Sequence, residues 1–402
     1  MIKTLKYERT GAFPSHQQLL LLRAIFGQND AQFHAFNDWK KTVNFETDID
    51  PGSYRLLPLL YNSLKKNGIN DPLLGKLKGI YKQTWVKNNF LFITSKHILH
   101  LFENQGIKTL VLKGAALALR YYQDLGLRSM QDFDILVPIR HRREAINLLR
   151  TNGFYPVILS KSRLSESFLN IQHSWGFINP AKQNVDLHWH TMYECLTLEA
   201  NDFFWNGADD LVVFGIKTKT LNASDQIIHI CAHGISGNVV PPVRWIADAI
   251  MIIDKSGDTI DWDRIVYVAQ KYSLNLILYK SLTYLYETFY RNIPVAFLDK
   301  LSRLPVKRYM LWEWKIRTRP VTSFGDALHM INRYFRYRGQ MDDPHLRKVP
   351  FFPLGLFTFA YYVSAQTSFL NFAMWIIRKT AKRAFRLFLH IPKIFVRKKR
   401  IQ

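Results

Sequence analysis

Apolar positions change their spacing twice along the chain. In HQQLLLLRAIFG, from His16, and in DPGSYRLLPLLYNSLKKNGIN, from Asp50, they recur at helical spacing. The second stretch opens on turn chemistry and stops at Asn-Gly. Residues 72–107, PLLGKLKGIYKQTWVKNNFLFITSKHILHLFENQGI, continue as one long amphipathic helix broken near Gly106. Residues 1–105 are therefore expected to be a helical region.

The period then shortens. KTLVLKG (108–114) reads as a strand ending in glycine, AALALRYYQD (115–124) as a helix and FDILVP (133–138) as a second strand. RHRREAINLLRTNGF (140–154) is a helix stopped by Asn-Gly, and YPVILS (155–160) a third strand. WGFINP and VDLHWHTM, joined by AKQN, read as an antiparallel hairpin. The expected fold class is α+β, a small mixed sheet over 106–215 flanked by N-terminal and C-terminal helical segments. Helices return over 216–345: ASDQIIHICAHGI behind a Ser or Asp cap, PPVRWIADAIMIIDKS behind a Pro pair, then DWDRIVYVAQKYSL and LILYKSLTYLYETFY. The tyrosines of 279–290 fall at helical spacing and are expected to pack in the core. No internal repeat is visible.

Charge changes the picture at one end. The formal charge is +24, and residues 378–402 hold ten Lys or Arg and no acid. Such a balance invites anionic partners, an anionic membrane surface or RNA. Directly before it, residues 351–377 contain no charged residue. Two readings stand: a pair of buried or partner-covered helices, or contact with a membrane. The N-terminus lacks the order of an export signal, and Cys195 and Cys231 form neither a disulfide framework nor a metal-type pair. A cytoplasmic location is expected, with peripheral membrane association as the alternative.

The chemistry starts at RSMQDFDILVP (128–138). On a strand, Asp132 and Asp134 share a face, and two carboxylates side by side require a cation. Hard oxygen ligands suit Mg²⁺. Upstream, Gly114 at a strand-to-helix junction lets backbone approach phosphate, with Lys113 and Arg128 adding charge. Downstream, Asp186 in NVDLHWH is a third acid on a strand. Three aspartates facing a glycine turn are a kit for two-metal nucleotidyl transfer.

LVLKGAALALRYYQDLGLRSMQDFDILV resembles the signature of the polymerase-β-type nucleotidyltransferase superfamily, and within it a branch of uncharacterised nucleotidyltransferases. NVDLHWH and IIHICAHG…VRWIADAIMII resemble that branch's later blocks, so the similarity spans roughly 100–260. It implies a minimal palm fold, NTP as substrate, and Mg²⁺ or Mn²⁺ held by Asp132, Asp134 and Asp186. Lys113, Gly114, Ala115 and Arg128 would bind the NTP. The superfamily commonly has Gly-Ser at the turn; with Gly114-Ala115, the phosphate contact falls to backbone N–H groups or Lys113. The implied activity is transfer of a nucleotide monophosphate to a hydroxyl of a small molecule or protein. RNA or tRNA as acceptor, or a non-catalytic membrane-associated module retaining the fold, are the rival readings.

Other candidates carry less. Asp186, His188 and His190 could line one strand face as a zinc or iron site, but His188 holding Asp186 is the expected role. His229 and His233, at i and i+4, lack the Glu of a zinc-protease helix and are expected to face the cleft, with His188 and His233 as accessory groups. Arg244 and Asp248 are a helix-surface pair or a brace behind the palm. Asp202, Asp209 and Asp210 read as solvated loop acids.

Overall fold

The first helix, α1 (His16–Phe26), begins where the sequence demands it. Ser15 accepts from the Gln18 backbone N–H, and the Gln18 side chain accepts from Ser15 in return. The computed structural model describes residues 11–157, 164–236, 243–318, 325–344, 346, 348–364, 368–374, 376–378 and 381. The end of YPVILS, the Pro pair at 241–242 and nearly all of the basic tail lie outside the described residues. α2 (Asn29–Thr42) was not expected from the pattern: only Ala35, Phe36 and Trp39 give it an apolar face. The stretch from Asp50 divides into α3 (Pro51–Tyr54), capped by the Asp50 carboxylate, and α4 (Leu57–Lys66). The long helix is α5 (Leu74–Asn104), and Gly106 turns the chain away from it at a φ of +68°.

β1 (Leu110–Val111) runs straight into α6 (Lys113–Leu117), which widens to a π-helical turn over Ala118–Tyr122. The helix thus starts at Lys113, earlier than the expected Ala115. Next come β2 (Phe133–Leu136), α7 (Arg142–Thr151), β3 (Tyr155–Pro156), α8 (Glu166–Ile171), β4 (Ser174–Ile178), β5 (Asn184–His188), α9 (Leu198–Asn206), β6 (Asp209–Val213) and β7 (Ile216–Thr220). The strands form one seven-stranded mixed sheet in the order β3-β4-β5-β2-β1-β7-β6. β2 pairs with β5 and β1 with β7 in parallel; the other neighbours are antiparallel. The β4–β5 hairpin is the expected one.

The β6–β7 hairpin was not foreseen, and it carries the sheet to Thr220, past the expected limit at 215. Its alternation is weak because it is an edge hairpin with charged outer positions. Two supposed loop acids therefore sit on a strand: Asp209 pairs with Arg120 at 2.6 Å, and Asp210, still solvated, with Lys219 at 2.8 Å. Asp202 lies in α9.

The helices that follow are α10 (Ala223–Gly234), α11 (Arg244–Ser256), α12 (Trp262–Lys271), α13 (Asn275–Phe289), α14 (Val295–Arg303) and α15 (Arg308–Thr318). One apolar core joins the N-terminal helices to α10–α14. Phe13 meets the edge of Tyr284 on α13 with ring centroids 4.9 Å apart, and the Trp245 indole donates to the Ala12 carbonyl at 3.0 Å. The tyrosine helix is thus a core helix, with Tyr290 exposed at its end. Cys195 and Cys231 are buried and free, and burial pushes the Cys231 thiol up to about 12.

Residues 158–172 and 322–402 group apart from the rest as a second compact unit, whose described helices are α8, α16 (Gly325–Arg338) and α17 (Leu354–Val363). Tyr334 and Tyr337 of α16 pack on Phe359 of α17, and the Tyr334 hydroxyl donates to the Pro350 carbonyl at 2.9 Å. Among the described residues, no helix is long and apolar enough to cross a membrane.

Candidate active site

Parallel pairing of β2 with β5 places Asp134 directly opposite Asp186 and Leu136 opposite His188. Adjacent strands lie about 4.8 Å apart, and residues two apart share a face, so Asp134, Asp186 and His188 converge on one patch of the sheet. Their ligand atoms all lie within 4.8 Å of one another. His188 Nε2 is 3.2 Å from Asp134 Oδ1 and 3.1 Å from Asp186 Oδ2. The expected holding role of His188 is therefore seen, extended to a second carboxylate.

Lys113 completes the group. It leaves β1 with a φ of +44°, in the left-handed region that residues with a Cβ rarely enter. The Leu112 N–H beside it donates to the Asp134 carbonyl at 3.0 Å. The ammonium sits 2.7 Å from Asp134 Oδ1, 3.8 Å from Asp186 Oδ2 and 3.4 Å from His188 Nε2. Burial alone would raise the Asp134 carboxyl, but Lys113 and His188 outweigh it and hold it well below the ordinary range. Burial would likewise raise Asp186, but His188 outweighs it and the carboxyl ends below its usual value. Burial and Lys113 disfavour protonation of His188, yet Asp186 and Asp134 carry its pKa above the ordinary value.

Asp132 stands outside this tight group. It is exposed on the same side of the strand, and burial of its surroundings together with Asp134 raises its pKa despite Lys113. It lines a pocket of about 500 Å³ that also takes in Lys113, Gly114, Arg128, Asp134 and His233. Ala115 is buried behind the turn and is absent from the pocket wall.

Arg128 has a first partner other than the one expected. Its Nε and Nη2 each lie 2.8 Å from the Asp248 carboxylate, which also accepts from the Tyr122 hydroxyl at 2.8 Å. Arg128 is 4% exposed and Asp248 2%. Burial would raise the Asp248 carboxyl, and Arg128 brings it down instead. The brace foreseen behind the palm therefore runs from Arg128 to Asp248. Arg244 does not pair with Asp248 along α11 but donates to the Ser129 carbonyl at 2.6 Å. From α5, Asn88 donates to the Arg128 carbonyl at 2.8 Å, fixing the loop from the other side.

This brace explains Gly114. A Cβ there would lie 2.6 Å from Arg128 Nη1 and 2.9 Å from Met130 Sδ. The glycine lets the turn lie on a buried guanidinium, whatever else it does for a ligand.

The remaining histidine candidates divide. His190 lies beyond the end of β5, buried, with its Nδ1 accepting from Asn201 at 2.8 Å, so an Asp186–His188–His190 row does not form. His229 and His233 meet edge to face with ring centroids 6.4 Å apart; His233 faces the pocket as expected. Burial and Lys113 push His233 down to about 3 and keep His229 well below its ordinary value. Among the described residues neither belongs to a group with metal-ligand spacing.

Two cations of the pocket wall were not expected there from the sequence. Arg55, between α3 and α4, and Arg244, at the start of α11, line the pocket with Gly52 and Trp245. Among the described residues neither has a carboxylate within ion-pair distance. Burial and Arg128 push the Arg244 guanidinium down to about 10. The one signal in the sequence for Arg55 was a cation with no acid near it in an apolar helical stretch, SYRLLPLL. Two carboxylate oxygens and an imidazole nitrogen at this spacing, with Asp132 adjacent, fit a divalent cation. Guanidinium groups with no described carboxylate partner, on the same pocket, suit phosphate oxygens.

Among solved structures, the antibiotic-resistance factor ANT(2'')-Ia is similar at 11% identity, covering 49% of this chain and 98% of its own, with a TM-score of 0.33. An antigenic nucleotidyltransferase-like protein from Paracoccidioides brasiliensis is similar at 14% identity, covering 56% of this chain and 96% of its own, with a TM-score of 0.31. No curated protein matches the chain. Residues 53–290 match the family described as uncharacterised nucleotidyltransferase, a span that holds Arg55, the sheet, the Asp134–Asp186–His188 group and Asp248; the chain belongs to that family.

Proposed function

We propose that the protein transfers a nucleotide monophosphate from an NTP to a hydroxyl of a small molecule or protein, with Mg²⁺ or Mn²⁺ as its cation. The observation that carries this reading is the register of β2 with β5, which sets Asp186 and His188 against Asp134, itself in the wall of the pocket that Arg55 and Arg244 line. Asp132, Asp134 and Asp186 would hold the cation, whose chemistry is to neutralise charge on the triphosphate and on the attacking oxygen. Arg55 and Arg244 bind the β- and γ-phosphates as guanidinium forks. Lys113 turns from the carboxylates to the same phosphates as the pocket fills, in place of the missing Gly-Ser contact. Gly114 supplies close backbone and Arg128 acts behind it as a positioning residue.

In the transfer, the acceptor oxygen bonds to the α-phosphorus as the bond to the bridging α–β oxygen breaks, and pyrophosphate leaves. The hydroxyl proton goes to Asp186. His188, Ser174 and Lys113 all meet its Oδ2, which leaves Oδ1 for the acceptor. Alignment and charge stabilisation supply the rate.

The test incubates the full chain with each α-labelled NTP, Mg²⁺ or Mn²⁺, and fractions of small molecules or protein. The wild type is expected to label an acceptor that Asp132→Ala and Asp134→Ala leave unlabelled. A wild type that neither binds NTP with metal nor labels anything would make the fold a non-catalytic module.

A further inference from the structure

The second compact unit has a surface that the transfer chemistry does not use. α17 turns Gly355 and Phe359 inward, where a Cβ on Gly355 would collide with the Pro350 carbonyl and the Tyr334 hydroxyl. Its other face is apolar and bare. Leu354 is 64% and Phe357 55% exposed; Phe351 and Phe352, in the turn before the helix, are 78% and 58% exposed. Beyond the helix, Phe369 and Leu370 are 69% and 70% exposed. Large apolar side chains bared together in this way mark a contact surface.

Charge says what the surface meets. Residues 351–377 carry no charge, and the chain after Asp343 carries no acid at all. It carries Arg347 and Lys348 just before the apolar stretch and ten Lys or Arg just after it. The Arg338 guanidinium also stacks 3.8 Å above the Phe351 ring. An uncharged aromatic patch with cations of one sign on both flanks matches the interface of an anionic bilayer, apolar below and negative above. A nucleic acid would meet the charges without burying the patch, and a protein partner would not require one sign. α17, at ten residues, rises about 15 Å, half of a hydrocarbon core of roughly 30 Å, so the element lies on the surface and does not cross it.

We propose that residues 351–377 with their basic flanks are an interfacial anchor that docks the protein on anionic lipid. The test is flotation of the full chain with vesicles of phosphatidylcholine and phosphatidylglycerol, against phosphatidylcholine alone. The wild type is expected to float with the anionic vesicles and to be released by high salt. Phe351→Asp/Leu354→Asp/Phe357→Asp is expected to bind about tenfold less, with thermal melting of the sheet-bearing unit unchanged. A second variant, Arg347→Gln/Lys348→Gln, removes two charges and no apolar residue, and is expected to lower binding to the anionic vesicles alone. The proposal is overturned if the wild type stays unbound, or if both variants float like it. Displacement from vesicles by an RNA oligonucleotide with the triple variant unaffected, or a dimer that the triple variant dissolves without any lipid binding, overturns it as well.

Discussion

Two buried charge assemblies lie on either side of the Gly114 turn, and they are built to opposite rules. The Arg128–Asp248 brace is closed: one cation, one anion, two parallel hydrogen bonds and a tyrosine hydroxyl on the same carboxylate. The Lys113 group is open: Asp132, Asp134 and Asp186 face one lysine and one histidine, at the edge of a pocket. A balanced buried pair is a structural element whose loss leaves a charge stranded. A group with more acids than cations has room for a further positive ligand, which fits a candidate cation site. A Cβ at Gly114 would meet the Arg128 guanidinium, so the turn that carries Lys113 lies against the brace only with glycine there.

The largest expected effect breaks the closed side. Asp248→Asn strands the Arg128 guanidinium and is expected to cost about 3–5 kcal/mol, read from urea unfolding at constant m-value. Next, Asp134→Asn strikes the open side. It should lower turnover by about 10²–10³-fold or more, while the urea midpoint moves far less than for Asp248→Asn, because Asp186 and Asp132 still oppose Lys113. If the two variants lost stability equally, the distinction between brace and site would collapse. Arg55→Gln is expected to weaken NTP binding about tenfold in calorimetry with little change in stability, since no carboxylate depends on it.

The smallest effect is a pH slope. Buried His229 is held well below its ordinary pKa, so its contribution to stability is complete above pH 6.5 and is lost as pH falls below it. His233, pushed down to about 3, acts in the same direction, but it is exposed at the pocket and solvent screens its effect. Below pH 6.5 stability is expected to fall by up to about 1.4 kcal/mol per unit from His229. His229→Gln should remove most of that slope in chemical denaturation curves.

Much of this was legible in sequence. The change from helical spacing to short strands found the sheet, and the resemblance brought Lys113, Asp132, Asp134 and Asp186 to one region. What escaped has physical reasons. β6 and β7 alternate poorly because an edge hairpin bears Lys and Asp on its open side. The partner of Asp248 was misread because α-helical spacing offers Arg244 four residues away, whereas the bond goes to a residue 120 positions distant. Arg55 had no motif; only tertiary packing brings α3 to the pocket. Within 351–377 the sequence did not show which positions α17 leaves exposed, because its outer face is as apolar as the inner one and periodicity cannot separate faces that do not differ.

That separation of 120 residues has a meaning during synthesis. At about 5–20 residues per second, Asp248 emerges roughly 6–24 s after Arg128. Until then the β1–α6 turn has its glycine, its lysine and its first two aspartates, but the guanidinium beneath it has no anion and so no reason to leave water. A nascent chain paused in that interval would hold the motif without the pocket. The candidate site is therefore a late event in the life of each molecule, completed by a helix that the ribosome delivers well after the first residues of the motif.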